Sequence, residues 1–398
     1  MLLGFGPDGP IPGRRVAITG IGVVSCCGVG PTALWEGLNG PAPTGERRAS
    51  AFDPERWLSN KAARQLDRFA QFSVAAADMA REDAGELGAD PGRSAVIMGT
   101  GVGGLDTLQT QILVLGEKGP RRVSPRLVPM MMGNAGAAAV SIRFGWHGPS
   151  ETITTACAAG AHSIGYAARL VASGRCDVAI GGSAEAGMTE VGIAAFSNMT
   201  ALSTSGESRP FDIRRDGFVM TEGAGALVLE GWDHAVARGA RIYGELAGSA
   251  STADAHHITA PIPGGSGAAA CMTMAMEDAG ITPESVGHIN AHGTSTPLND
   301  LAEADAITKV FGAHSVPVTS TKGITGHGLG AAGAIEAVAA VLSIQHRLIP
   351  PTVGYGEPDP DIYLDIVAGS ARPWEPAPIL SNSFGFGGHN GCLVISPA

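Results

Sequence analysis

The sequence predicts an α/β fold built from two copies of one unit, with mostly parallel sheets covered by helices on both faces. Three observations carry this reading. Short apolar runs of strand length alternate with longer helical runs. Glycine makes up 58 of the 398 residues and falls between those runs, where tight turns and close backbone packing need it. One order of motifs also occurs twice: T-A-C-A-A-G-A opens a small-residue helix in the first half, and T-G-H-G-L-G-A opens one in the second. After spans of similar length, each leads through a glycine turn to a buried strand, G-A-L-V-L-E at Gly225 and G-C-L-V-I-S at Gly391.

The elements follow in order. Residues 1–13 read as a loose leader, residues 14–245 as the first half and residues 246–398 as the second. Arg15–Ile21 is the first strand. Lys61–Arg81 has helical periodicity, with Leu66, Phe69, Phe72, Val74 and Ala77 on or near one face. Ser94–Met98 is a strand ending in the glycine-rich turn Gly99–Gly104. Thr152–Ala156 is a strand, Ala158–Ser173 a helix, and Cys176–Gly181 and Ala224–Glu230 are buried strands. Pseudo-twofold packing of the halves brings the helix N-termini at Cys157 and His327 to one cleft.

Composition narrows the function. The formal net charge of −11 and pI near 5.4 argue against nucleic-acid binding, which wants a basic face. Charged residues are only 16% of the chain, which points to an oligomer or simply a large core. The six cysteines show no C-x-x-C spacing, so neither a metal site nor a disulfide scaffold is expected, and a reducing cytoplasm fits. The N-terminus lacks the apolar core of a signal peptide, and no apolar run approaches the ~20 residues of a membrane span.

Three strings carry the candidate chemistry: T-T-A-C-A-A-G (Thr154–Gly160), N-A-H-G-T-S-T (Asn290–Thr296) and T-K-G-I-T-G-H-G-L-G-A-A-G (Thr321–Gly333). Most free cysteines are small buried hydrophobes, and Cys176, Cys271 and Cys392 read so. Cys157 differs because it sits where a strand meets a helix, whose free N–H groups lower a thiol pKa. His292 and His327, each beside glycine, are candidates to stabilise an enolate oxygen and assist loss of carbon dioxide. Glu336 lies in an apolar helix and needs a partner, for which Lys322 is the candidate. That pair is structural, positions His327, or both. N-S-F-G-F-G-G-H-N-G (Asn382–Gly391) reads as a mobile loop with phenylalanine lids and an N–H for an oxyanion hole, and no phosphate-loop motif is present.

Together these strings resemble the β-ketoacyl-[acyl-carrier-protein] synthases of the thiolase superfamily, specifically the type II elongating enzymes with a Cys-His-His set. The resemblance runs from about Arg14 to Ser396. It implies a thiolase-like five-layered α-β-α-β-α sandwich of two duplicated halves. It also implies a decarboxylative Claisen condensation that lengthens an acyl chain by two carbons. Cys157 matches the acylated nucleophile, and His292 and His327 match the decarboxylation pair. Lys322 and Glu336 match the supporting charged pair. The N–H groups of Cys157 and Phe386 match the oxyanion hole, and Thr294 and Thr296 match the pantetheine-binding hydroxyls. Val102, Phe196, Phe386, Gly385 and Gly387 match the acyl pocket and its gate, with Thr252–Pro263 as a second gating loop.

The resemblance further implies an acyl carrier protein as partner, bringing acyl and malonyl thioesters on its own phosphopantetheine, with no resident cofactor or metal. Lys61, Arg64, Arg121 and Arg122 match basic docking positions, and Arg126 lies nearby. A homodimer is implied, or a heterodimer with a chain-length-factor subunit if the chain is the ketosynthase of a type II polyketide system. A degradative thiolase would want a second cysteine in the C-terminal glycine loop, where His389 stands. The chain departs from the family pattern at Ser203–Pro210, which is short, at Thr200, where a docking arginine is common, and at Cys26 and Cys27.

Overall fold

The computed structural model describes residues 1–6, 9–43 and 46–398. In the first half, strand Val16–Ser25 runs antiparallel to Gly223–Gly231, which is antiparallel to Val178–Glu185. Val178–Glu185 is parallel to Ser94–Gly99, and that strand is parallel to the short edge strand Ser150–Glu151. The second half repeats the pattern. Gly244–Ala253 is antiparallel to His389–Ser396, and that strand is antiparallel to Ile379–Gly385. Ile379–Gly385 is parallel to His288–Asn290, which is parallel to Pro317–Thr319. The halves join where Ala17 faces Glu245 and Ile18 faces Gly244, antiparallel, giving one continuous order of strands.

The duplication expected from the motifs is therefore present in strand order and direction, while the expectation of mostly parallel sheets is corrected. Each half holds three mutually antiparallel strands, and in the first half the chain returns from Val178–Glu185 to the neighbouring Gly223–Gly231 over residues 186–222, which include helix Glu190–Asn198. In the second half that return is the tight Phe386–Gly388 turn between Gly385 and His389, too short for the crossover a parallel pair needs.

Side-chain alternation sorts the layers. In Gly223–Gly231, Leu227 and Leu229 point to one buried cluster and Ala226 and Val228 to another. In His389–Ser396, Leu393 and Ile395 face the same central cluster, and Cys392 and Val394 face a third. The central cluster belongs to two helices, Ala159–Ala172 and Ala332–His346, packed between the half-sheets. Helix Arg68–Ala84 covers the outer face of the first half through Phe69, Phe72 and Val74. Helices Ser266–Ala279 and Pro297–Phe311 cover the second through Met272, Met276 and Ile307. These are the five layers of the thiolase-like sandwich. The central helices cross at Gly160 and Gly333, where a Cβ on Gly160 would lie 2.5 Å from the Ala334 nitrogen.

Several boundaries differ from expectation. The Lys61–Arg81 helix is broken into Asn60–Ala63 and Arg68–Ala84, because the Asp67 carboxylate accepts from Phe69 N and starts a new helix. The expected strand Thr152–Ala156 does not form: the strand here is Ser150–Glu151, just before it, and Ala156 turns left-handed (φ 49°) ahead of the helix. The leader, expected to be loose, pairs as a backbone hairpin of Leu2–Gly6 with Gly9–Pro12. Among the described residues one helical stretch, Leu329–His346, is long and apolar enough to cross a membrane, and 89% of it is buried within this fold.

Candidate active site

Cys157 follows the left-handed Ala156 and precedes helix Ala159–Ala172, so its side chain is held at a sharp turn. It is 7% exposed. The His327 Nε2 atom lies 3.0 Å from its sulfur. The turn carrying His327 is anchored to the first half, with His327 N donating to Val219 O at 2.7 Å and Thr221 N donating to His327 O at 3.2 Å.

The helix terminus does not set the thiol pKa, contrary to expectation. Burial pushes the Cys157 thiol up to about 12, against a counter-pull from the Lys322 ammonium; the Glu185 carboxylate pushes it further up. The N–H groups of Phe386 and of Cys157 itself face the sulfur and favour charge there.

His292 stands beside His327, with ring centroids 5.3 Å apart and planes at 84°. Burial holds both imidazoles well below the usual histidine range, and the Lys322 charge adds to it, so both are neutral. Among the described residues, Nδ1 of each ring is buried without a hydrogen-bond partner. An unpaired buried N–H costs more than a bare ring nitrogen, so the proton of each ring belongs on Nε2.

Lys322 and Glu336 are both buried and pair directly. The ammonium also donates to the His292 carbonyl oxygen at 2.5 Å, so the pair braces His292 by contact and His327 only through the chain, where His327 alone was expected. Glu336 remains raised to about 7 by burial, even beside Lys322.

Sequence reasoning missed Glu303. Its carboxylate accepts from His292 N and Gly293 N, each at 2.8 Å, and from Asn382 Nδ2 at 3.2 Å, clamping the His292 turn. Its helix also carries Asp300, Asp305 and Lys309, so an acid there does not stand out as Glu336 does in an apolar helix.

Cys157, His292 and His327 open onto one cavity of about 470 Å³. Val102, Phe196, Gly385 and Phe386 line it, as do Thr294 and Thr296, whose hydroxyl oxygens are 2.9 Å apart. Phe218, which sequence reasoning passed over, sits edge-on to His327 with ring centroids 5.2 Å apart. Gly387 lies outside the lining. Its N–H donates to Ile258 O at 2.8 Å, and Asp254 N donates to Gly388 O at 2.9 Å, so the glycine loop and the 252–263 segment are stitched together. Lys61, Arg64, Arg121, Arg122 and Arg126 are all exposed, and none forms an ion pair among the described residues. Lys61 and Arg64 are joined to the segment leading to Arg121 through Asp67, which accepts from Thr107 N at 2.9 Å and Thr107 Oγ1 at 2.6 Å. Among the described residues no group of three or more His, Cys, Asp or Glu side chains is arranged to hold a metal ion.

Comparison with known proteins agrees with this geometry. Residues 39–235 match the family described as "Beta-ketoacyl synthase, N-terminal domain", and residues 243–356 match "Beta-ketoacyl synthase, C-terminal domain". A protein of Synechocystis named 3-oxoacyl-[acyl-carrier-protein] synthase 2 is 45% identical, over 96% of this chain and 98% of that one. Among solved structures, the ishigamide ketosynthase/chain length factor is similar with a TM-score of 0.92 and 34% identity, over 97% of this chain and all of that one. A type II polyketide acyl-carrier protein in complex with its ketosynthase bound to the hexaketide gives 0.90 and 33%, with the same coverage.

Proposed function

This chain belongs to the β-ketoacyl synthase family, and from that premise we propose that it is a 3-oxoacyl-[acyl-carrier-protein] synthase of the elongating, fatty-acid type. The observation that carries the proposal is the cluster of Cys157 Sγ, His327 Nε2 at 3.0 Å and the neighbouring His292 at the floor of one cavity.

In the first step Cys157 sulfur attacks the thioester carbonyl of an acyl-carrier protein. The N–H groups of Cys157 and Phe386 take the oxyanion, and the His327 Nε2–H supports charge on the sulfur. The C–S bond to pantetheine breaks, and the thiol proton ends on the departing pantetheine sulfur. In the second step a malonyl thioester lies with its carbonyl oxygen between the two imidazoles. Its carboxyl C–C bond breaks, carbon dioxide leaves, and the electron pair remains as an enolate held by two Nε2–H groups. Neutral rings suit this role, because a carbonyl accepts from both. The enolate carbon attacks the acyl carbonyl, the bond to Cys157 sulfur breaks, and the thiolate regains a proton from solvent. The product is a 3-oxoacyl thioester two carbons longer.

Thr294 and Thr296 would hold the pantetheine arm, and Val102, Phe196 and Phe386 the acyl chain. Lys61, Arg64, Arg121, Arg122 and Arg126 would receive the acidic carrier protein. No resident cofactor or metal enters the scheme. A homodimer is the preferred assembly: the edge strand Ser150–Glu151 is exposed with no further strand beyond it among the described residues, and Ile112, Leu113, Val128 and Met132 of the same half expose apolar surface. A heterodimer with a chain-length-factor subunit, in a polyketide system, is the second reading. It is less favoured because the polyketide structures share 33–34% identity against 45% for the Synechocystis synthase. All six cysteines are unbridged, which supports a cytoplasmic location.

Intact-mass measurement after incubation with an acyl-carrier-protein thioester tests the proposal. An adduct of the acyl mass is expected on the wild type and absent in Cys157→Ala. Retained chain elongation by Cys157→Ala would overturn it.

A further inference from the structure

Glu185 is the last residue of strand Val178–Glu185 and is fully buried. Its Oε2 accepts from Gly101 N at 2.7 Å and from Gly330 N at 3.2 Å, and its Oε1 accepts from Thr100 Oγ1 at 3.1 Å. The Val102 N–H also faces it. These donors come from two places. Thr100, Gly101 and Val102 form the turn that brings Val102 to the cavity wall in the first half. Gly330 belongs to the second half, three residues after His327. The two turns touch: a Cβ on Gly330 would lie 2.1 Å from Gly101 N and 2.8 Å from Glu185 Oε2.

The other fully buried carboxylates of the site have evident duties, Glu336 on Lys322 and Glu303 on the His292 turn. Glu185 has no cationic partner among the described residues. Burial raises the Glu185 carboxyl to about 7, and the donors that converge on it from both halves pull it back down, so at pH 8 it carries its charge.

We propose that Glu185 is a positioning residue for condensation, joining the acyl-pocket turn at Thr100–Val102 to the turn that carries His327 and so keeping that imidazole seated against Cys157. The proposal rests on the function proposed above. A carboxylate offers two acceptor oxygens with spare lone pairs, whereas an amide offers one oxygen and a donor. Glu185→Gln therefore keeps the shape but sets an NH2 donor either against Thr100 Oγ1 or against the Gly101 and Gly330 N–H groups, so the join between the two turns weakens. The same substitution removes a negative charge that opposes thiolate formation at Cys157, which offsets the support the sulfur loses as the His327 N–H moves away, so attack by that sulfur is not slowed.

The test uses the full chain of wild type, Glu185→Gln and the milder Thr100→Val, each checked for fold by circular dichroism and thermal melting. Two rates are measured at pH 8: alkylation of Cys157 by iodoacetamide, and condensation with malonyl-carrier protein. For Glu185→Gln we expect alkylation at least as fast as wild type, with condensation kcat down about tenfold or more and KM for the malonyl thioester within threefold. Thr100→Val should show the same split at two- to fivefold, and it decides the matter if Glu185→Gln does not fold. Condensation within twofold of wild type in a folded variant overturns the proposal, as does a parallel loss of both rates. If the wild type itself neither accepts an acyl group nor condenses, the proposed function fails instead, and the two failures are distinguishable.

Discussion

The Lys322 ammonium donates to the carbonyl oxygen of His292 at 2.5 Å while paired with Glu336, so one buried cation braces the backbone of a histidine 30 residues away. Both members of the pair are within 2% of complete burial. Removing one partner leaves the other charge unpaired in the interior, which costs about 3–5 kcal/mol. Glu336→Gln is expected to lower the unfolding free energy by an amount of that order, read from urea denaturation at pH 8. The double change Lys322→Met with Glu336→Leu should recover much of the stability and none of the condensation activity.

The thiol of Cys157 is pushed up to about 12 by burial. Its alkylation by iodoacetamide should therefore rise about tenfold per pH unit from pH 7 to 9 and show no plateau there. A plateau below pH 8 would mean that the N–H groups at the sulfur outweigh its desolvation.

The two histidines should separate by step. His327 touches the sulfur and His292 does not. His292→Ala should lose about 100-fold or more in malonyl decarboxylation and keep Cys157 acylation within a few fold. His327→Ala should lose decarboxylation equally and slow acylation as well. Carbon dioxide release and intact mass measure the two steps.

Reversing the charge at Lys61 and Arg64 should raise KM for carrier-protein thioesters by about tenfold at low salt, with the gap narrowing as salt rises. The same variant should act normally on a small pantetheine thioester. Equal effects on both substrates would remove this face as the docking site.

His288 is fully buried against Trp374, with both ring nitrogens unpartnered among the described residues. Burial lowers its pKa to about 3. A depressed folded pKa means that the unfolded chain binds the proton first. The stability His288 contributes is thus whole above about pH 6.5 and lost as pH falls toward 3. Between pH 7.5 and 5 this amounts to about 2 kcal/mol. His288→Leu should flatten the stability curve by that much over this range, measured by urea denaturation at both pH values.

Much of the site was legible because its chemistry is local in sequence. Cys157, His292, His327 and Lys322 each lie in a short string of small residues, which needs no knowledge of the partner element. Glu336 stood out because an acid in an apolar helix demands a counter-charge. Glu185 and Glu303 were not legible. Their partners are backbone N–H groups, which every residue has, so nothing in composition singles out Gly101, Gly330 or Gly293 as the donors.

What the sequence determined by itself was the pair of duplicated halves, the three side chains at the cleft and the glycine loop that lines it, since periodicity, turn residues and reactive groups are properties of contiguous chain. The tertiary structure alone decided strand direction, the protonation of Cys157 and the neutrality of both imidazoles. It also decided which histidine Lys322 braces. Those outcomes depend on how deeply each group is desolvated and on which backbone faces it, quantities that exist only once distant segments are packed together.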